Sequence, residues 1–241
     1  MSDSRYLDAA ATAPLRPEAR AAMLRALDAG PGNASSVHSA GHRARAIVEG
    51  ARERIAAALG ARPAEVVFTS GGTEANNLAV KGLALANPRG RHIVTTPIEH
   101  PSVIESCRFL ERVHGFELTL LPVDATGLVD PLAVEAALRD DTTLVTVGLA
   151  NGEVGTVQPL PEIAALARAR GALVHTDAVQ AAASLPVSFG PDGWPGAAVD
   201  AMTVAAHKFG GPQGAGALLA RRHLALEPVL QLYRAPEFLA Q

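Results

Sequence analysis

His207 and Lys208 stand side by side in "AAHKFGGPQGAG" (205–216), between an apolar run and a loop that holds four glycines. The positions leading up to them, "AAVDAMTVAA" (197–206), carry one charged residue. Lysine is mostly a surface residue, so a lysine delivered on such a run is a candidate nucleophile, made reactive by desolvation and nearby charge.

Three other stretches offer groups that complement an amine. "SGGTEANN" (70–77) turns on glycines, and Thr73 and Glu74 open a helix there. Gly72, Thr73 and the free N–H groups of such a start suit a phosphate, although capped helix starts without any ligand look the same. "TPIEHPS" (96–102) places His100 just ahead of another helix, where a histidine serves equally as an ordinary hydrogen-bonding group. "HTDAVQ" (175–180) puts Asp177 at the end of an apolar strand and Gln180 three residues further on. A carboxylate in that position costs several kcal/mol unless it meets a cation or an N–H donor.

A phosphate cradle, a carboxylate opposite a protonatable ring nitrogen, an imidazole lid and a lysine amine together describe a site for pyridoxal 5'-phosphate. Other site chemistries have weaker support. His38 and His42 in "HSAGH" are spaced i, i+4, but no metalloprotease glutamate or third ligand accompanies them, so no metal is expected. No G-x-G-x-x-G follows a candidate strand, which argues against a dinucleotide.

The elements that must position these groups alternate. Strand-like runs at 65–70, 91–96, 117–123, 142–149, 172–177, 200–205 and 216–220 are separated by helical patterns at 17–29, 39–59, 73–86, 101–113, 131–139 and 160–170. A further short helix is expected after Asp177. This order predicts an α/β fold with a seven-stranded, mostly parallel sheet, and ligands collect at the carboxyl ends of such strands. The second helix keeps a stripe of Ile47, Val48, Ala51, Ile55, Ala58 and Leu59 and should lie on a surface. "SFGPDGWPG" (188–196) reads as a loop.

Composition narrows the function class. The chain has 241 residues, 48% of them hydrophobic, a net charge of -3 and a pI near 6.2. There is no basic block for a phosphate backbone or an anionic membrane, no apolar stretch near the roughly 18 residues of a membrane span, and no signal-peptide layout. The expectation is a cytoplasmic protein with no nucleic-acid or membrane partner. Cys107 is the sole cysteine, so no intrachain disulfide forms.

Seven motifs, in order, resemble the cysteine desulfurases of the class V aminotransferase-like, fold type I pyridoxal phosphate enzymes: "YLDAAATAP", "GNASSVH", "VFTSGGTEANNLA", "EHPSV", "ANGEVGTVQP", "HTDAVQ" and "HKFGGPQGAG". The resemblance implies a three-layer αβα large domain over 15–241 preceded by an N-terminal segment, 1–14. It implies that Lys208 carries the cofactor, Asp177 faces the ring nitrogen, Gln180 contacts the ring hydroxyl, and His100 stacks on the ring and moves protons. Gly72, Thr73 and His207 would hold the phosphate, and Asn33, His38 and Asn151 would line the substrate end. The implied substrate is L-cysteine, the implied assembly a homodimer, and the implied further partner a sulfur-acceptor protein of iron-sulfur or other sulfur metabolism.

The departures are specific. Gly152 stands where relatives carry a second asparagine, and Ala205 where they carry a phosphate-binding serine; each lost hydrogen bond to a charged group costs roughly 1.5–3 kcal/mol unless replaced. With "LYRAPEFLAQ" as its last residues, the chain is expected to lack the small C-terminal domain that brings relatives their catalytic cysteine, and sulfur transfer is expected to be impaired. Cys107, inside a predicted helix, reads as a small apolar residue. The rival expectations are a non-catalytic scaffold and an aminotransferase or lyase that uses no protein thiol.

Overall fold

A computed structural model describes residues 5–87 and 89–230; the closing segment 232–241 lies outside the described residues. The helices are α1 (Pro17–Asp28), α2 (Ser39–Ala58), α3 (Gly72–Ala86), α4 (Pro101–His114), α5 (Pro131–Ala137) and α6 (Leu160–Ala169). The strands are β1 (Val66–Thr69), β2 (His92–Thr95), β3 (Glu117–Leu120), β4 (Thr142–Thr146), β5 (Leu173–Asp177), β6 (Val187–Ser188), β7 (Trp194–Pro195), β8 (Ala201–Ala205) and β9 (Gly216–Ala220). Among the described residues, no helix is long and apolar enough to cross a membrane.

Seven strands form one sheet in the order β1-β9-β8-β5-β4-β2-β3. All pairings are parallel except those of β9, which runs antiparallel to both β8 and β1. The mostly parallel expectation therefore holds. β6 and β7 pair separately, so the loop expected over 188–196 contains a two-residue ribbon.

Strand alternation sends successive side chains to opposite faces, and the core divides accordingly. Ile93, Leu144 and Leu218 pack with Ala75, Val80, Leu83 and Leu110 of α3 and α4. Val94, Val145, Val174 and Leu219 pack with Val134 and Ile163 of α5 and α6 on the other face. β2, β4 and β8 are buried at every residue, as strands covered on both faces must be, which makes three layers, αβα.

One expectation needs correction. No helix follows Asp177: residues 179–184 form consecutive turns, with the Ala182 and Leu185 N–H groups donating to the Ala178 and Ala181 carbonyls. Asp177 caps Val179 as an N-cap would, but the i→i−4 bonds at Ala182 and Leu185 are not consecutive, so the turns do not join into a regular helix. The apolar stripe of α2 is only partly used: Ile55 and Leu59 pack on the core, whereas Ile47 and Val48 remain exposed.

Chain direction places the carboxyl ends of β1, β2, β4, β5 and β8 on one side of the sheet. From β2 the chain goes to β3 on one side and β4 on the other, the reversal of strand order that opens a crevice in sheets of this kind.

Candidate functional site

A cavity of about 300 Å³ opens at these strand ends. β1 leads into it through Gly71, which offers no side-chain cap to α3, so the first-turn N–H groups at Gly72 and Thr73 stay open. Glu74 turns back instead: its carboxylate accepts from the Ser70 N–H at 2.7 Å and hydroxyl at 2.6 Å, and these bonds hold its pKa below the usual carboxylate range. The start of β9 passes close by. A Cβ at Gly216 would meet the Gly71 Cα at 2.7 Å, so only glycine lets the two backbones cross here.

His100 is the N-cap of α4, with Nδ1 accepting from the Ser102 N–H at 3.1 Å and lying 2.7 Å from the Ser102 hydroxyl. Asp177 ends β5. Its Oδ1 accepts from the Val179 N–H at 2.9 Å, and its Oδ2 from Asn76 Nδ2 at 2.7 Å. Burial pushes the Asp177 pKa up, against those two bonds and the electrostatic influence of nearby His100 and Lys208.

Lys208 leaves β8 through a single turn, and its Nζ donates to the Ala10 carbonyl at 2.6 Å. Gln180 Nε2 donates to the same carbonyl at 3.2 Å. The N-terminal segment thus straps the lysine loop, further held by the Ala13 and Arg16 N–H groups on the His207 and Gly210 carbonyls. Burial and the Lys208 charge lower the His207 pKa, leaving it a neutral hydrogen-bonding group beside the helix start.

Eight residues singled out in the sequence therefore border one cavity: Gly72, Thr73, His100, Asn151, Asp177, Gln180, His207 and Lys208. Asn151 spends its side chain on its own loop, accepting from the Glu153 and Val154 N–H groups and donating to the Ile98 carbonyl. Asn33 and His38 are not brought in. Asn33 accepts from Ser35, and His38 caps α2 by accepting from Gly41 at 3.3 Å. Of the two departures, Ala205 lines the cavity without a polar atom, and Gly152 yields its space to Gln180, whose Nε2 lies 2.6 Å from where a Cβ would stand.

Three participants escaped the sequence reading. Asn76 and Ser102 link the groups just described, and Glu99 lines the cavity floor. Asn76 had a legible signal: it falls on the stripe of Ala79, Val80 and Leu83, which is otherwise apolar.

Glu99 accepts from the Gly148 N–H at 2.9 and 3.0 Å and from the Thr96 hydroxyl at 2.7 Å, tying the end of β2 to the end of β4. Burial dominates nonetheless and raises its pKa to about 7 from 4.5. Between those values the folded chain holds a proton that the unfolded chain releases, so the contribution is complete below the unfolded pKa and is lost as pH rises to 7. Relative to Glu99→Gln, the natural chain is expected to lose on the order of 2–3 kcal/mol more between pH 4.5 and 8, measured by urea unfolding; equal losses would show that Glu99 does not titrate there.

Cys107 sits on the buried face of α4, and burial pushes its thiol pKa up to about 12. At neutral pH it holds essentially no thiolate, the form that reacts.

Residues 5–232 match the aminotransferase class-V family. The chain is 46% identical over 226 residues to "Cysteine desulfurase IscS" of Dictyoglomus turgidum, a match spanning 93% of this chain and 56% of that protein. It is 48% identical over 234 residues to "IscS-like cysteine desulfurase" of Mycobacterium tuberculosis, over 93% and 57%. The chain thus spans a little over half the length of these curated relatives. Among known structures, the one described as "SspA in complex with cysteine" superposes with a TM-score of 0.86 at 37% identity, over 94% of this chain and 65% of that one.

Proposed function

Because the chain belongs to the aminotransferase class-V family, we propose that it binds pyridoxal 5'-phosphate and acts on L-cysteine in the manner of a cysteine desulfurase. The observation that carries this reading is the convergence of Lys208, from β8, and Asp177, from β5, on one cavity. A homodimer and a sulfur-acceptor protein complete the proposal.

The residues present fit the group. A buried carboxylate, offset by nearby His100 and Lys208, suits a ring nitrogen that carries a proton. An uncapped helix start suits a phosphate, and an amine held by nothing stronger than a backbone carbonyl is free to exchange partners. When bound, pyridoxal phosphate supplies an aldehyde for an amine and an electron sink for bonds at an amino acid's α-carbon.

The chain's own contributions follow from position. Gly72 and Thr73 N–H groups, with His207, would hold the phosphate, and Asp177 would orient the ring and keep its nitrogen charged. Gln180 would reach the ring hydroxyl on leaving Ala10. His100 would hold or move a proton at its Nε2, the ring nitrogen that Ser102 leaves open to the cavity. Ala205 adds no phosphate donor, so that load falls on the helix start and His207.

A desulfurase ends its reaction with a thiol taking the sulfur, giving alanine and a persulfide. Cys107, buried and protonated, does not supply that thiol. The same observation favours a second reading, elimination, in which cysteine and water give pyruvate, ammonia and sulfide without a protein thiol. Incubation with pyridoxal phosphate, L-cysteine and dithiothreitol separates them, one dithiothreitol thiol taking the sulfur and the second closing the ring to release it as sulfide: matched alanine and sulfide without pyruvate is the expected result. Pyruvate matching sulfide would install the second reading, and no product with no cofactor retained would overturn both.

A further inference from the structure

We propose that Asn76 and Ser102 are positioning residues that join the Asp177 carboxylate to the His100 imidazole through hydrogen bonds donated both ways from the Asn76 amide nitrogen, fixing the ring proton of His100 on Nε2. The inference deepens the reading of this cavity as an amino-acid site, since Asp177 and His100 matter together only there.

The chain runs in four contacts. Asn76 Nδ2 lies 2.7 Å from Asp177 Oδ2 and 2.9 Å from Ser102 Oγ. Ser102 Oγ lies 2.7 Å from His100 Nδ1, which also accepts the Ser102 N–H at 3.1 Å. Asn76 is 1% exposed and Ser102 8%, so water does not compete.

Direction follows from what each group can give. A carboxylate only accepts, so the amide must present its nitrogen to Asp177. The second hydrogen on that nitrogen goes to Ser102 Oγ, which must accept it. The hydroxyl has one hydrogen of its own, and the partner left for it is His100 Nδ1. With two donors aimed at Nδ1, the neutral ring carries its proton on Nε2, the nitrogen left for a ligand.

The arrangement has a cost. Asn76 Oδ1 is buried with no partner, and an orphan acceptor of that kind is destabilising. Turning the amide over would not recover it, because the oxygen would then face a carboxylate and both donated bonds would be lost. The neighbours of Asn76 on the buried face of α3 are Ala75, Ala79, Val80 and Leu83, so packing alone would be served by an apolar residue. Ser102 is pinned as well, its carbonyl accepting from the Ser106 hydroxyl at 2.7 Å.

The test uses Asn76→Asp, which keeps the shape and reverses the polarity. The two carboxyl groups then in contact share one proton between residue 76 and Asp177, which leaves the residue 76 oxygen no hydrogen for Ser102; the Ser102 hydroxyl donates to that oxygen and no longer to His100. Long-range ¹H–¹⁵N NMR of histidine-labelled protein without cofactor, assigned with His100→Asn, reads the ring directly. The natural chain is expected to show His100 protonated at Nε2 alone; in Asn76→Asp the Ser102 N–H stays on Nδ1 and holds the tautomer, but the Nδ1 resonance moves because the hydroxyl bond to it is lost. A natural chain protonated at Nδ1, or an Asn76→Asp ring unchanged from it, would overturn the proposal. If Asn76→Asp does not fold, Ser102→Ala and Ser102→Thr decide: the first should move the His100 Nδ1 resonance and the second restore it, and no movement overturns the chain of bonds. Since no cofactor is present, failure of pyridoxal phosphate to bind leaves this result standing, and the two readings fail separately.

Discussion

A Lys208→Ala chain is expected to retain no covalent pyridoxal phosphate after borohydride reduction, while the natural chain retains it stoichiometrically. Lys208 gives the site its amine, and the variant has nothing within the cavity to replace it. The fold should survive. Lys208 Nζ makes one bond, to the Ala10 carbonyl, and a partly exposed bond of that kind contributes about 1 kcal/mol. Urea unfolding of the two chains without cofactor checks this, and a loss beyond about 3 kcal/mol would mean that the lysine is structural. Covalent cofactor on the variant at full occupancy would remove Lys208 from the account.

Asp177→Asn is expected to slow exchange of the substrate α-proton by roughly 10²–10³-fold, the range seen when one preorganised electrostatic partner is removed from a reacting centre. The amide keeps the size and can keep the Val179 N–H bond, but it removes the negative charge opposite the ring nitrogen. Asn76 loses its acceptor at the same time. The folded chain without cofactor should not suffer in proportion. Burial raises the Asp177 pKa, so the ionised group weakens the empty fold as pH rises, and a neutral amide removes that contribution. Deuterium uptake into L-cysteine or L-alanine, followed by mass spectrometry, is the measurement. Exchange within threefold of the natural chain would leave Asp177 without its role.

The sheet was legible because its strands are short apolar runs, mostly β-branched and in β2, β4 and β8 buried throughout, with helices of ordinary length between them. The reversal of β9 was not read from the sequence, although connection length carries it. Only residues 206–215 separate β8 from β9, too few for the crossover that a parallel return requires. The turns after Asp177 were not legible. The alanine-rich "AVQAAAS" reads as helical, yet its i→i−4 bonds at Ala182 and Leu185 are not consecutive, a matter of backbone path that residue type does not announce.

Within the site, residues whose type announces chemistry could be read in advance: a lysine on an apolar run, an aspartate at a strand end, a histidine before a helix. Glu99 and Ser102 could not, because an adjacent His100 draws attention and their partners, Gly148 and Asn76, are far away in sequence. Asn33 and His38 show the opposite limit. Their motif resembles that of relatives with a substrate-end role, but in this chain both side chains cap local backbone outside the cavity.

The chain contains two lysines, which makes the central claim directly measurable. Lys81 lies on α3, its Nζ donating to Asn77 Oδ1 at 2.6 Å and sitting 4.4 Å from the centre of the Phe109 ring. Burial lowers its pKa, so it too is a chemically plausible amine. Peptide mapping of the protein after incubation with pyridoxal phosphate and reduction with borohydride should find the pyridoxyl group on Lys208 and none on Lys81. A label on Lys81, or an even division between the two, would contradict an amine singled out by the cavity at the strand ends.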